Sequence, residues 1–412
     1  MPSKPFNPHS LPLDLFVSAL ACTSWYKEAR PLLGECTDLL FHGFRHSIQE
    51  TRCIAELPTE SRHSGLDYPD QMERIVVDFT RCANEGNYVA TLAALETVLS
   101  LCPAKLTNLL VNISCPIPTP SPVLYRPFTR PQPLCSSVKC LELFGTEDTG
   151  KNHMNDLISA LSPHLETLKL TKFTLNSGTY HALGKCTSLR EIELNNVGDE
   201  ERLPTEPEQR HFAYSCNRQR NIDATASVLT VLCPQLESFT LVTSADSLSP
   251  AVTLYNMIAF LKRCSGLKRL RIVGNKDVND WFMFWCLLRG VDGRRLEHID
   301  LEGCTNLVGS VVPKRKGKGS WPRLRSLSLQ GCDGVSAWFV KRAVRVCPKL
   351  EEVVLPRHLN GEGEIGLAKR GFGCEQNGRW RRVKVKPTLK KDSVRAIASW
   401  MLKLKNVSSN ER

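Results

Sequence analysis

No two of the chain's 17 cysteines form a Cys-x-x-Cys pair, and their number is odd. Both facts argue against a zinc knuckle and against a complete disulfide framework. The thiols read instead as small buried apolar side chains of a reducing compartment. No apolar run approaches the roughly 18 residues that a membrane helix requires, so no membrane span is expected. The opening residues MPSKPFNPHSLPLDL contain no apolar core, so no secretory signal is expected. A Gly-x-Ser-x-Gly elbow, a His-Glu-x-x-His helix and a dinucleotide fingerprint are all missing. The ten histidines are scattered, and one such as His298, alone in a strand-like stretch, reads as exposed or hydrogen-bonded rather than catalytic. Aromatics are only 7% of residues, too few for a stacking platform that would favour nucleic acid. Together these absences predict a non-enzymatic chain without cofactor or metal, cytoplasmic and/or nuclear.

Leucine is what the chain has in excess, at 55 of 412 residues. The net charge of +12 is concentrated at one end. Residues 357–412 hold 14 Lys/Arg against 5 Asp/Glu, which leaves +3 for residues 1–356. A near-neutral body therefore precedes a basic tail, and the total charge is weak support for nucleic acid.

The leucines follow a rule. An apolar residue is followed by others three and five positions later in Leu165-Glu-Thr-Leu168-Lys-Leu170, and again from Leu189, Leu236, Leu267, Leu296, Leu324 and Leu350. Weaker copies start at Met72, Leu106, Val138 and Trp380, and successive starts cluster near 28 residues apart. Cys102, Cys186, Cys233, Cys264 and Cys347 lie three or four residues before the first apolar residue, and three of them are followed by proline. Stretches with helical spacing lie upstream: Leu157-Ile158-Leu161, Met257-Ile258-Leu261 and Phe339-Val340-Val344. Each unit thus predicts a strand, a turn and a helix ending at cysteine. Its apolar face is buried only by stacking on the next unit. Asn275, Cys304 and Cys332, three places after a strand block, are candidates to bond the turn of the next coil.

These features resemble a leucine-rich repeat solenoid of the cysteine-containing kind. The resemblance implies an α/β fold, a horseshoe of short parallel strands and helices, over residues 46–356. Target protein would bind the concave face at Lys169, Glu193, Thr240, Arg271, Asp300 and Ser328, which lie between core leucines.

Residues 11–33 carry Leu11-Pro12, the apolar Leu15, and Cys22-x-x-Trp25 followed by Ala29-Arg30-Pro31-Leu32-Leu33. This segment resembles an F-box of the fungal type, within an α-helical front end at residues 1–45. The resemblance implies binding of a Skp1-type adaptor through Leu11, Pro12, Leu15, Cys22 and Trp25, and through it a cullin ubiquitin ligase. Only nine residues, 13–21, separate the two halves, fewer than the family has, so one helix of the box is shortened or missing.

Two loops interrupt the solenoid: the proline-rich 114–136 and the polar 198–225, which accounts for a 47-residue interval and contains no strand block. Lys314–Gly319 reads as a basic loop. In the basic cap, 357–412, Trp380-Arg-Arg-Val383-Lys-Val385 reads as a further strand block. A helix capped at Asp392 or Ser393 would follow, with its Lys and Arg side chains facing solvent or an acidic partner. Gly145–Asn152 has the spacing of a phosphate loop. Asn152 replaces the required Ser or Thr, and Glu147 and Asp148 would repel an anion, so nucleotide binding is not expected.

Overall fold

A computed structural model describes residues 38–42, 72–79, 85–101, 105–113, 136–145, 151–175, 177–199, 235–243, 264–288, 294–313, 321–359, 367–375 and 379–383, with a few isolated positions besides. The strands are Asp38–His42 (β1), Arg74–Asp78 (β2), Asn108–Asn112 (β3), Cys140–Phe144 (β4), Thr167–Thr171 (β5) and Thr174–Leu175 (β6). They continue with Glu191–Asn195 (β7), Gly198–Asp199 (β8), Ser238–Val242 (β9), Arg269–Val273 (β10), His298–Asp300 (β11) and Ser326–Ser328 (β12). The last are Glu352–Val354 (β13), Phe372–Cys374 (β14) and Arg379–Arg382 (β15). Thirteen of them form one sheet, in the order β1-β2-β3-β4-β5-β7-β9-β10-β11-β12-β13-β15-β14. Every pairing from β1 to β13 is parallel. The chain is an α/β leucine-rich repeat solenoid.

The register follows from the leucine rule. In each complete copy the second and third apolar residues occupy alternate strand positions facing inward. Leu168 and Leu170, Ile192 and Leu194, Phe239 and Leu241, and Leu270 and Ile272 are all at most 7% exposed. Helices Glu85–Ser100 (α1), Lys151–Leu161 (α2), Ser177–Gly184 (α3) and Ala337–Val346 (α4) return the chain on the other side of this core. Leu157, Ile158 and Leu161 of α2 and Phe339, Val340 and Val344 of α4 are buried, as their spacing predicts. Helix α4 ends at Cys347, whose N–H donates to the Ala343 carbonyl at 2.9 Å. The buried Cys186 thiol donates to the Ala182 carbonyl at 3.5 Å.

The structure departs from the sequence-based expectation in five places. First, β1 pairs in parallel with β2, so the sheet begins inside the segment read as an F-box-like front end. Cys36-x-x-Leu39-x-Phe41 is the hidden repeat, with cysteine in place of the first leucine.

Second, β15 is not another coil. It runs antiparallel to β13, with Trp380 opposite Val353, and then pairs with β14. In a true copy the strand begins two residues after the first apolar residue. Here Trp380 is itself within the strand, while Val383 follows it and is 56% exposed.

Third, the return path between β11 and β12 has no helix at 301–313. Val308-Gly-Ser-Val-Val-Pro313 is poor in helix formers. Trp321 fills the space. It occupies the position, three before Leu324, that cysteine holds in other coils, is fully buried, and donates its indole N–H to the Leu287 carbonyl of the preceding coil at 3.3 Å.

Fourth, Gly198–Asp199 at the start of the polar insertion forms β8, which pairs with β6. Strands β7 and β9 remain direct neighbours, so the insertion adds nothing to the main sheet.

Fifth, the thiols after the strands reach back, not forward. Cys304 donates to Ile272 O at 3.5 Å and Cys332 to Leu301 O at 2.8 Å, in each case the third apolar residue of the preceding coil. Asn275 makes a local turn, accepting the Asp277 N–H on its Oδ1 at 2.8 Å.

At the basic end, Arg379, Arg381 and Arg382 stay exposed but also reach partners on the protein. Arg379 pairs with Glu352 at 3.0 Å and Arg381 with Glu375 at 3.3 Å, while Arg382 donates to Pro348 O at 2.9 Å. The predicted helix at 392–402, the Lys314–Gly319 loop and nearly all of the two inserted loops lie outside the described residues.

Candidate protein-binding face

Opposite the buried leucines, the odd strand positions form rows across the sheet. The residue between the second and third apolar points occupies the middle row. Register places Glu142, Lys169, Glu193, Thr240, Arg271, Asp300 and Ser328 side by side on consecutive strands of the sheet. All six residues expected to face a target are therefore contiguous on one face.

Several of these charges are already matched. Lys169 Nζ lies 2.8 Å from Glu142 Oε1, a hydrogen bond that raises the lysine pKa further above its ordinary range. Arg271 Nε lies 3.2 Å from Asp300 Oδ2. Glu193 accepts from the Asn195 side chain at 2.9 Å.

Sequence reading missed the row two residues earlier, which faces the same way because strand side chains alternate. It contains Glu191, Ser238, Arg269, His298, Ser326 and Glu352. These residues line an open trough of about 430 Å³, together with Thr240, Arg271, Asp300, Glu302, Ser328, Gln330 and Arg379. Glu352 is held between Arg379 at 3.0 Å and Arg381 at 3.6 Å. His298 is held below its usual pKa by burial and then by Arg269, so it is neutral at pH 7 and adds no charge to the trough.

At the edge of this face a third row alternates in sign: Lys139, Glu166, Arg190, Glu237, Lys268, Glu297, Arg325 and Glu351. The backbone explains their alignment. The carbonyls of Lys139, Glu166, Arg190, Glu237, Lys268, Glu297 and Arg325 each accept two N–H groups from the next coil. Like charges on adjacent strands repel and opposite charges attract. Lys139–Glu166 closes to 3.0 Å and Lys268–Glu237 to 2.8 Å. The hydrogen bond from Lys268 lowers the Glu237 pKa. The signal was present in the sequence, since each of these residues directly follows the first apolar residue of its block.

Among the described residues no group of three His, Cys, Asp or Glu side chains could hold a metal ion, and no helix is long and apolar enough to cross a membrane. Gly145 of the phosphate-loop-like stretch is committed to the solenoid. Its N–H donates to Thr171 O at 2.8 Å, and a Cβ there would lie 2.9 Å from Lys172 O. The F-box-like residues Leu11, Pro12, Leu15, Cys22 and Trp25 lie outside the described residues.

The chain matches no protein-family model. It is 33% identical over 102 residues to the antagonist of mitotic exit network protein 1 of Eremothecium gossypii. That match spans 25% of this chain and 18% of the relative. Among solved structures it is similar to a chain of the yeast Rad7 and Elc1 complex, at 14% identity and a TM-score of 0.38, over 84% of this chain and 87% of the other. It is also similar to an internalin from Listeria monocytogenes, at 12% identity and a TM-score of 0.36, over 84% and 88%.

Proposed function

We propose that this chain is the substrate-recognition subunit of a Skp1-cullin-F-box ubiquitin ligase, acting by binding rather than catalysis. The observation that carries the binding half is the continuous polar face, on which Lys169, Glu193, Thr240, Arg271, Asp300 and Ser328 share one row. A rigid ladder holds these groups in position before a partner arrives, so little ordering entropy is lost on binding. Its mixed charge favours selectivity among partners over raw affinity. The ligase half rests on the resemblance of residues 11–33 to an F-box, with Leu11, Pro12, Leu15, Cys22 and Trp25 docking the Skp1-type adaptor.

Co-purification with Skp1 tests this reading. Wild type should retain Skp1, and Pro12→Ala combined with Trp25→Ala should lose it. If wild type retains none, the ligase reading fails. The second reading is a repeat scaffold for protein–protein interaction with no ligase link, favoured by the nine-residue gap at 13–21.

A further inference from the structure

Most charges in the trough are matched inside the protein: Arg271 with Asp300, and Arg379 with Glu352. Two are not. Glu191 and Arg269 make no ion pair or side-chain hydrogen bond among the described residues, and both line the trough. They share one row, with only Ser238 between them. Adjacent strands lie about 4.8 Å apart, so the two backbones are separated by about 9.6 Å.

That spacing matches one repeat of an extended left-handed peptide. A polyproline-II segment has three residues per turn and advances about 3.1 Å per residue, so residues i and i+3 share a side about 9.3 Å apart. Its backbone makes no internal hydrogen bonds, and its carbonyls need donors. Ser238, Thr240, Ser326, Ser328 and Gln330 supply them along the floor. An amphipathic helix fits less well, because it needs an apolar groove. Of the sixteen lining residues only Leu270, Ile299 and Val354 are apolar, and all three are buried.

We infer that the trough receives an extended peptide segment of the target, with a basic residue against Glu191 and an acidic residue against Arg269, three positions apart. This rests on the reading of the concave face as the target-binding surface.

The test uses the full chain and fluorescein-labelled proline-rich 12-residue peptides. Each carries one Lys and one Glu, two, three, four or seven positions apart, in both orders. Spacing three should bind tightest in one order. Arg269→Glu should weaken that peptide by roughly fivefold, in line with an exposed ion pair, and a peptide with Glu replaced by Lys should recover the loss. Arg323→Glu, outside the trough lining, should leave binding unchanged. Equal binding at all spacings, a preference for spacing seven, or indifference to Arg269→Glu overturns the inference while leaving the face as a binding surface. Failure of every peptide overturns it together with the reading of this face. Skp1 retention is measured separately, so the ligase reading stands or falls on its own.

Discussion

Removing the carboxylate of Asp280 should loosen one coil without touching the core. Asp280 follows Asn279, which caps the short helix Asp280–Phe282 by accepting the Phe282 N–H at 3.1 Å. The Asp280 side chain faces the next coil. Oδ1 accepts the N–H of Gly309 at 2.7 Å and of Val308 at 3.2 Å, and Oδ2 accepts the N–H of Ser310 at 2.9 Å and the Ser310 hydroxyl. These bonds anchor the helix-free stretch 301–313 of the return path, where the backbone has few partners of its own. A hydrogen bond to a charged group contributes roughly 1.5–3 kcal/mol, and four bonds to one carboxylate are far from additive. Asp280→Ala should therefore cost about 3 kcal/mol, measured by urea denaturation at pH 7. Asp280→Asn should cost less, because the amide keeps an acceptor but places a donor against another donor. Hydrogen exchange at Val308, Gly309 and Ser310 should accelerate in both variants.

The pH dependence of Asp280 has a definite sign. Burial works to raise the pKa, but the Ser310 hydroxyl and the N–H groups of Ser310, Gly309 and Val308 bring it below the ordinary 3.8. A carboxylate with a lowered folded-state pKa contributes stability that is fully present above its unfolded pKa and is lost as pH falls through the folded one. Wild type and Asp280→Ala should thus differ at pH 7 and converge in acid. A loss under about 0.5 kcal/mol, with unchanged exchange at 308–310, would refute the anchoring role.

Three further outcomes are expected. Gly274 has φ of +68° and its Cβ would lie 2.3 Å from Thr243 O, so Gly274→Ala should destabilise by more than about 2 kcal/mol. Gly184→Ala, with nothing within 4 Å, should be neutral or slightly stabilising, and thermal melts of the two distinguish a local clash from a general intolerance. The buried thiols of Cys304, Cys332 and Cys347 are pushed up to about 12 by burial, so a thiol reagent at pH 8 should leave them unmodified until the chain unfolds, whereas the exposed Cys374 reacts at once.

The repeat was legible because burial in a stacked array imposes one local rule on every coil. Leu165, Leu168 and Leu170 obey it, and so do their counterparts through Leu355. Strand alternation then dictates that Lys169, Glu193 and Arg271 face the other side, so the binding face could be named by number. The edge row beginning at Lys139 was equally local, and careful reading of the residue after each first leucine would have found it. One left-handed turn position recurs after the strands, at Lys172, Asn196, Gly274, Gly303 and Gly331. It was hidden because two of its five occupants are not glycine.

Other features required the fold. Trp321 looks unlike cysteine in sequence. Only the coil geometry shows that both plug the same gap, since buried volume and one hydrogen bond can be supplied by either. The direction of the Cys304 and Cys332 hydrogen bonds depends on which neighbouring coil presents a carbonyl at that height. Trp380 fits the local pattern yet belongs to an antiparallel closing hairpin, because strand direction is set by the path of the chain and not by the residues within the strand. Sequence by itself determined the period, the buried face and the open face. Tertiary structure decided which trough charges have no ion-pair partner among the described residues: Glu191 and Arg269 stand 78 residues apart in the chain, and only the stacking of coils puts them on one row two strands apart.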